Sequence, residues 1–405
     1  MSKRFSIVGL SLIAGLVSSS AFAQKSNVDG SSINTITTAV PFLRISPDAR
    51  SGGMGDVGIA LSADANAQFW NVGKIPFCEK NYGISLTYTP WLKDLVPDIF
   101  LAYISGYAKF GENHNQAISG SLRYFSLGDI NYVDINASPT GTGKPREFSL
   151  DLGYSRKLSE FLSTGITLRY IHSAIASGIS NNQGADYKPG NTAAADVGVY
   201  YTKTHEIDEF RKRNFSFGAV ISNLGGKMSY SSTRKDFIPI NLGLGVAYTS
   251  KFDEFNKVTF ALDVNKLLVP TPLDSSTNGT PSYYYPDKTV VSGVLGSFSD
   301  APGGFNEELR EFNFSVGAEY WYQEQFAIRA GYFYEDATKG DRKYFTVGLG
   351  VKYNVFTLNA SYLVPSGSGI SRNPLSNTLR FTLGFDFNDF SAISTGNSDG
   401  STSTQ

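Results

Sequence analysis

The sequence predicts an all-β fold, a transmembrane antiparallel β-barrel of about 14 strands with an N-terminal plug segment. The first observation is a period of two in the apolar residues, repeated along most of the chain. The second is a regular alternation of short and long connections between these segments. The third is the composition: 18% of the residues are charged, whereas about 25% is usual in soluble domains, and 14% are aromatic.

Residues 1–23 are expected to be a secretory signal peptide. Lys3 and Arg4 give a positive start, an apolar run follows, and a small-x-small cleavage site ends at Ala23, so the mature chain begins at Gln24. Beyond this leader, no stretch approaches the roughly 20 apolar residues that a membrane helix needs. The chain can still cross a membrane as a closed barrel.

Residues 24–81 are predicted to form an N-terminal segment that fills the barrel as a plug. Residues 24–38 are polar and are expected to be flexible. Residues 39–81 lack clean alternation and are rich in glycine. The glycines are Gly52, Gly53, Gly55, Gly58 and Gly73.

Residues 82–390 are predicted to form the barrel itself. In the stretch 378–387, large apolar side chains alternate with polar, charged or minimal ones, so one face of a strand is apolar and the other is not. About fourteen segments of similar length repeat this pattern, and that length suits a tilted membrane strand. They lie near 82–90, 98–109, 115–126, 146–156, 162–173, 193–202, 213–222, 239–249, 257–265, 311–322, 325–334, 342–353, 355–363 and 378–387.

The connections support a membrane barrel rather than a soluble sandwich. If the first strand runs outward, the inner turns are mostly short and the outer loops are mostly long, as in outer-membrane barrels. The inner turns are 110–114, 157–161, 203–212, 250–256, 323–324 and residue 354. The outer loops are 91–97, 127–145, 174–192, 223–238, 266–310, 335–341 and 364–377.

The face opposite the apolar one carries charges whose signs balance, which favours internal ion pairs in a filled barrel over a water-filled pore. These inward residues are Arg123, Asp151, Arg169, Asp196, Asp263, Glu319, Arg329, Lys352, Arg380 and Asp386. After the last strand, residues 391–405 are rich in Ser, Thr, Gly and Asp and are expected to be a disordered tail.

The sequence gives little support for catalysis, and we expect no enzyme activity, no cofactor and no metal site. The three histidines are dispersed, and the single cysteine, Cys78, excludes an intramolecular disulfide and a cysteine-based zinc site. The acidic cluster Glu307, Glu308 and Glu311 is expected to be a solvated helical turn. A net charge of −1 offers no basic field for nucleic acid.

Loop 266–310 is the longest outer loop, and its aliphatic and aromatic content disfavours disorder. Either it folds over the barrel mouth, or it presents apolar surface to a protein partner. The apolar tip at Trp91 and Leu92 has the same two interpretations. The candidate partner-binding residues are therefore Trp91, Leu92, Leu267, Leu268, Val269, Phe298 and Phe305.

Several strings resemble known outer-membrane families. Residues 47–50, 53–56 and 69–71 resemble the N-terminal hatch of FadL-like barrels, although residues 71–73 read Asn-Val-Gly where the hatch has Asn-Pro-Ala. More specific strings resemble the PorV (LptO) family of the type IX secretion system, in order over about residues 40–387. They are Tyr88-Thr89-Pro90-Trp91-Leu92, residues 122–128, residues 265–272, residues 299–305 and Glu319-Tyr320-Trp321-Tyr322.

The resemblance implies a plugged FadL-like barrel in the outer membrane of a Gram-negative, Bacteroidota-like bacterium. It also implies protein partners: the large translocon barrel of the type IX system, the C-terminal signal domains of secreted cargo, and a sortase-like attachment protein. On this basis the protein would bind cargo at the translocon and shuttle it to the surface attachment complex. Two alternatives stay open: a FadL-like transporter of hydrophobic small molecules, and a lipid A deacylation factor.

Overall fold

The computed structural model describes residues 34–91, 98–133, 138–175, 188–231, 235–274, 283–364 and 378–388. The predicted signal peptide, the predicted tail at 391–405 and the candidate residue Leu92 lie outside the described residues.

Fourteen strands form one closed antiparallel barrel in which the first strand pairs with the last. The predicted fold class is therefore confirmed. In chain order the barrel strands are β1 (Tyr82–Pro90), β2 (Ile99–Phe110), β3 (Gln116–Leu127), β6 (Arg146–Lys157), β7 (Leu162–Ala174), β8 (Gly190–Glu206), β9 (Lys212–Gly225), β10 (Asn241–Lys251), β11 (Asn256–Leu267), β14 (Phe312–Tyr322), β15 (Phe326–Tyr334), β16 (Lys343–Tyr353), β17 (Phe356–Val364) and β18 (Leu379–Phe387).

Two short sheets and two helices lie in the outer loops. Strands β4 (Ile130–Val133) and β5 (Pro139–Gly143) pair with each other, as do β12 (Leu273–Asp274) and β13 (Tyr283–Tyr284). Helices α3 (Val290–Gly296) and α4 (Phe305–Arg310) follow in the loop between β11 and β14. Among the described residues, no helix is long and apolar enough to cross a membrane.

Strand β8 is longer than the predicted 193–202, because its pairing with β9 continues past residue 202 at the inner end of the barrel. The pairing continues to Glu206 opposite Lys212. Residues 203–206 are polar and exposed on both faces, so the apolar period stops before the strand does. Apolar residues recur with a period of two where one face of a strand contacts lipid or a protein core. The inner end of the β8–β9 hairpin contacts neither, so its sequence lacks that period.

The two faces of the barrel differ as the alternation predicts. On β18, Leu379, Phe381 and Leu383 are exposed on the outward face, whereas Arg380 and Thr382 are buried. Eight of the ten predicted inward charges are likewise buried, and Lys352 and Asp386 are half-buried near the inner end. An apolar outward face around a charged interior is the arrangement of a barrel in lipid.

The described part of the N-terminal segment, residues 34–81, lies against the inward faces of the strands. Its helix α1 (Ala49–Gly52) contacts β16, β17 and β18, and its 3-10 helix (Val72–Phe77) contacts β6, β7 and β8. A second 3-10 helix (Pro41–Arg44) and helix α2 (Ala67–Trp70) complete it. That this segment closes the lumen to solutes stays a prediction.

Candidate functional site

Charge-assisted hydrogen bonds hold the N-terminal segment to the barrel wall. Glu319 on β14 accepts from Arg50 of α1 at 3.1 and 2.9 Å, and from Arg329 on β15 at 2.7 Å. Its carboxylate is therefore shared by a cation of the wall and a cation of the segment. Charge-assisted bonds in a low-dielectric interior are the stronger kind, so Glu319 is a main attachment point.

Two further carboxylates join the same two parts of the chain. Asp263 on β11 accepts the backbone N–H groups of Gly58 and Ile59 at 2.7 and 2.9 Å. Asp56 of the segment accepts from Arg380 on β18 at 3.0 Å and from Tyr344 at 2.6 Å. The predicted internal ion pairs are present, and several of them tie the segment to the wall.

A buried triad stiffens the wall itself on the opposite side. Arg169 on β7 donates to Asp151 at 2.8 and 3.0 Å and to Asp196 at 3.2 and 2.9 Å. Asp196 also accepts the backbone N–H of Asn223 at 2.6 Å, where β8 and β9 shift register. A buried carboxylate thus accepts a hydrogen bond from the backbone at the point where β9 has one residue more than β8.

An apolar cluster lies at the outer end of the lumen, above these charges. Phe42 and Leu43 of the N-terminal segment pack there with Trp91, Leu268 and Val269. Phe42 stacks on Phe125 of β3 with a ring-centroid distance of 6.3 Å. At the outer end the N-terminal segment is therefore held by aliphatic and aromatic contacts, whereas in the middle it is held by charges.

The seven predicted partner-binding residues separate into three groups. Trp91, Leu267, Leu268 and Val269 are buried in this conformation, and all but Leu267 belong to the outer apolar cluster. Phe298 and Phe305 are exposed, and Leu92 lies outside the described residues. A partner-binding role is untested for all seven, and the geometry leaves it open for Phe298 and Phe305.

An ion cluster lies beneath helix α4. Lys266 on β11 donates to Glu308 at 3.0 Å and to Glu311 at 2.6 Å. Lys339 of the loop after β15 donates to Glu311 at 3.1 Å and to Glu307 at 2.6 Å. The expectation of a solvated acidic turn is wrong for Glu308 and Glu311, which are only 5% exposed, because two lysines from the barrel rim lie beneath the helix.

Helix α4 is inverted relative to a helix of a soluble protein. The acidic side chains of Glu308 and of Glu311, which caps its C-terminal end, face the barrel, whereas Phe305 and Leu309 point outward, exposed by 75% and 50%. Helix α3 adds Val291 and Leu295, exposed by 69% and 70%. We call the exposed side chains Val291, Leu295, Phe298, Phe305 and Leu309 the outer platform.

Three members of the outer platform were not predicted from the sequence. Val291 and Leu295 are spaced by four residues in the string Val-Val-Ser-Gly-Val-Leu-Gly, and Leu309 follows Phe305 by four. That spacing places each pair on one helical face. The signal was available, but it does not tell which face of a short loop helix points to solvent.

The electrostatics of α4 favour its fixed pose at neutral pH. Burial raises the pKa of Glu307, but the hydrogen bonds that its carboxylate accepts from Lys339 and from the Gly303 amide outweigh burial, and the net pKa lies below its ordinary value. Glu307 is therefore ionised at neutral pH and holds Lys339.

The described interior contains space lined by both charged and apolar side chains. A cavity of about 430 Å³ lies at the inner end of the barrel. Its wall includes Arg50, Glu319, Arg329, Lys352 and Asp386. In the described ranges, no three His, Cys, Asp or Glu side chains are grouped so that they could hold a metal ion.

Comparison with known families assigns the chain. The family model described as type IX secretion system protein PorV matches residues 28–274, more than half of the chain. The chain belongs to the PorV family. It is therefore an outer-membrane component of the type IX secretion system of a Gram-negative bacterium, and the predicted resemblance is confirmed. No curated protein matches the chain.

Solved structures share the barrel fold. A TodX mutant described as a monoaromatic hydrocarbon channel has a TM-score of 0.50 at 13% identity, covering 84% of this chain and 99% of its own. The toluene transporter TodX of P. putida gives 0.49 at 10%, covering 84% and 99%. A FadL homologue of Pseudomonas aeruginosa gives 0.43 at 10%, covering 88% and 100%. At these identities the likeness concerns the fold alone.

Proposed function

We propose that this PorV-family protein binds the C-terminal signal domain of secreted cargo at its outer platform as cargo leaves the translocon barrel. It then delivers the cargo to the sortase-like attachment protein at the cell surface. The barrel anchors the protein in the outer membrane, and chemistry on the cargo belongs to the attachment protein. The observation that carries this proposal is the inversion of α4.

An inverted helix is costly unless a partner covers it. A surface helix normally turns its apolar stripe to the core, and exposed apolar patches in folded proteins mark interaction sites. Phe305 and Leu309 point away from the barrel, while the same helix buries two carboxylates on lysines. These side-chain orientations therefore support the proposal that the outward face of α4 contacts a partner protein.

The ion cluster makes this surface a pre-organised one. Glu311 accepts from Lys266, Lys339 and the Thr271 hydroxyl, so the end of α4 is attached to two separate segments of the rim, residues 266–271 and the loop after β15. A partner then meets side chains that are already ordered, which lowers the entropic cost of binding. Charged pairs at the margin, such as Lys288 with Asp300 at 2.9 Å, supply the polar rim that interfaces usually have.

The two rival functions find less support in the described residues. A channel for hydrophobic small molecules needs a continuous apolar passage, whereas the wall of the inner cavity carries ion pairs such as Arg50 with Glu319 beside its aromatic side chains. A deacylase needs a histidine beside a serine or another nucleophile. His172, near the outer rim, instead hydrogen-bonds Asn191 at 2.7 Å and packs on Phe148.

A pull-down from solubilised outer membranes tests the proposal. The tagged protein is expected to co-purify with secreted cargo and with a very large barrel protein, and deletion of its gene is expected to leave cargo inside the cell. Loss of cargo export without co-purification would indicate an indirect role. Normal export in the deletion strain would refute the proposal.

A further inference from the structure

The first described residues lie at the outer end of the barrel. The backbone N–H of Asn34 donates to the carbonyl of Thr338, in the loop after β15, at 3.0 Å. Its side-chain Nδ2 donates to the carbonyl of Pro272 at 3.0 Å and to Glu307 of α4 at 3.1 Å. One buried asparagine thus joins two outer loops.

The next residues reach a third loop. The hydroxyls of Thr37 and Tyr285 are hydrogen-bonded at 2.6 Å, and the N–H of Ala39 donates to the carbonyl of Phe237 at 2.9 Å. Val40 is buried in the outer apolar cluster. We call residues 34–40 the outer strap, because they hydrogen-bond to the loops after β9, β11 and β15.

The other end of the N-terminal segment lies at the inner end of the barrel. The carbonyl of Asn81 accepts from the N–H of Lys109, whose Nζ donates to the carbonyl of Cys78 at 2.7 Å. Lys109 belongs to the inner end of β2, one residue before the strand ends at Phe110. The segment therefore crosses the lumen once, from the outer strap to β1.

We infer that the outer strap lies on the cell-surface side of the barrel, and that it fixes the pose of α4. A single crossing puts the two ends of a segment on opposite sides of the membrane. Asn34 is then outside, although β1 begins on the inside. Asn34 acts as a positioning residue for the outer platform through Glu307.

The first part of this inference does not depend on cargo binding, whereas the second rests on the proposed function. The outer strap sits beside the platform, since Glu307 contacts both Asn34 and Lys339 and lies two residues from Phe305. Its hydrogen bonds offset the entropy lost when its backbone is ordered. A change in a strap that is held in this way is expected to alter the position of α4.

Cysteine labelling of intact cells tests the topology. Thr37→Cys is exposed in the outer strap, and Glu160→Cys, in the inner turn between β6 and β7, is an equally exposed control. The only natural cysteine, Cys78, is buried and should give little background. A membrane-impermeant maleimide should label Thr37→Cys on intact cells and Glu160→Cys only after permeabilisation. Labelling of Thr37→Cys only after permeabilisation would overturn the inference, and Leu309→Cys on the outer platform, if labelled on intact cells in the same experiment, would show that the proposed function does not fall with it.

Hydrogen exchange of the full-length protein tests the positioning role. Asn34→Asp places a carboxylate against Glu307, whereas Asn131→Asp makes the same change at an exposed site of the β4–β5 hairpin. In Asn34→Asp, the amides of α4 should exchange about tenfold faster, and signal-domain affinity should fall with them. Asn131→Asp should change neither. Unchanged exchange in α4 would refute the role of Asn34, and faster exchange with unchanged affinity would separate the strap from cargo binding.

Discussion

Glu319→Gln is expected to destabilise the protein by about 3–5 kcal/mol, because it removes one partner of a buried charge cluster. The side chain of Arg329 is fully buried, and Glu319 is the carboxylate with which it forms an ion pair, at 2.7 Å. Arg50 is less affected, since Asp64 remains 3.0 Å away. Most of the cost therefore comes from a guanidinium left in the interior without a counter-charge.

Guanidinium unfolding of the detergent-solubilised protein measures this cost, with tryptophan fluorescence as the probe. Trp321 is a suitable reporter because its ring centroid lies 5.4 Å from the Arg329 guanidinium. Glu206→Gln is the matched control: it breaks an exposed ion pair with Lys212 and should leave the free energy of unfolding almost unchanged. The double variant Glu319→Gln/Arg329→Met should recover much of the lost stability, since it leaves no buried charge at that position of the wall.

Planar-bilayer recordings measure the ion conductance of the same variant. Weaker attachment of the N-terminal segment should give more frequent conductance steps in Glu319→Gln than in the parent protein. The reasoning is refuted if Glu319→Gln costs less than about 1 kcal/mol, or if the double variant is as unstable as the single one. Large steady channels in the parent protein would contradict the prediction that the segment closes the lumen.

Three further outcomes are expected. Gly331→Ala should destabilise the protein by about 1–3 kcal/mol in the same unfolding assay, because its Cβ would lie 2.0 Å from the backbone of the N-terminal segment. Gly384→Ala should be tolerated, because the nearest atom to its Cβ would be 3.7 Å away. The ion pair of Glu307 with Lys339 should stabilise α4 fully at neutral pH and weaken as the pH falls towards the lowered pKa of Glu307, giving smaller protection factors for the α4 amides in acid. Phe305→Ser should change the free energy of unfolding by no more than about 0.5 kcal/mol, because the ring is mostly exposed.

The barrel could be predicted from the sequence because the side-chain types on each face of a strand follow from what that face contacts. Large apolar residues at every second position of 378–387 indicate lipid on one face, and Arg380 between them indicates a polar interior. The same alternation predicted nearly every strand boundary to within a few residues. It failed at residues 203–206, where both faces of the β8–β9 hairpin meet water.

The outer loops could not be predicted in the same way, because their burial depends on segments distant in the chain. Leu268 and Val269 look like exposed loop residues until Phe42 of the N-terminal segment is placed against them. Glu308 and Glu311 look solvated until Lys266 and Lys339 are brought beneath them. In both cases the deciding partner lies more than 25 residues away in the sequence.

The affinity of a purified cargo signal domain for the solubilised protein tests the central claim most directly. Phe305→Ser/Leu309→Ser removes two exposed anchors of the outer platform, and Ile207→Ser/Phe210→Ser makes a similar change at exposed residues of an inner turn. The account predicts measurable binding by the parent protein, about thirtyfold weaker binding by the first variant (about 2 kcal/mol), and unchanged binding by the second. Equal affinity of the parent and the platform variant, or no binding by the parent, would contradict it.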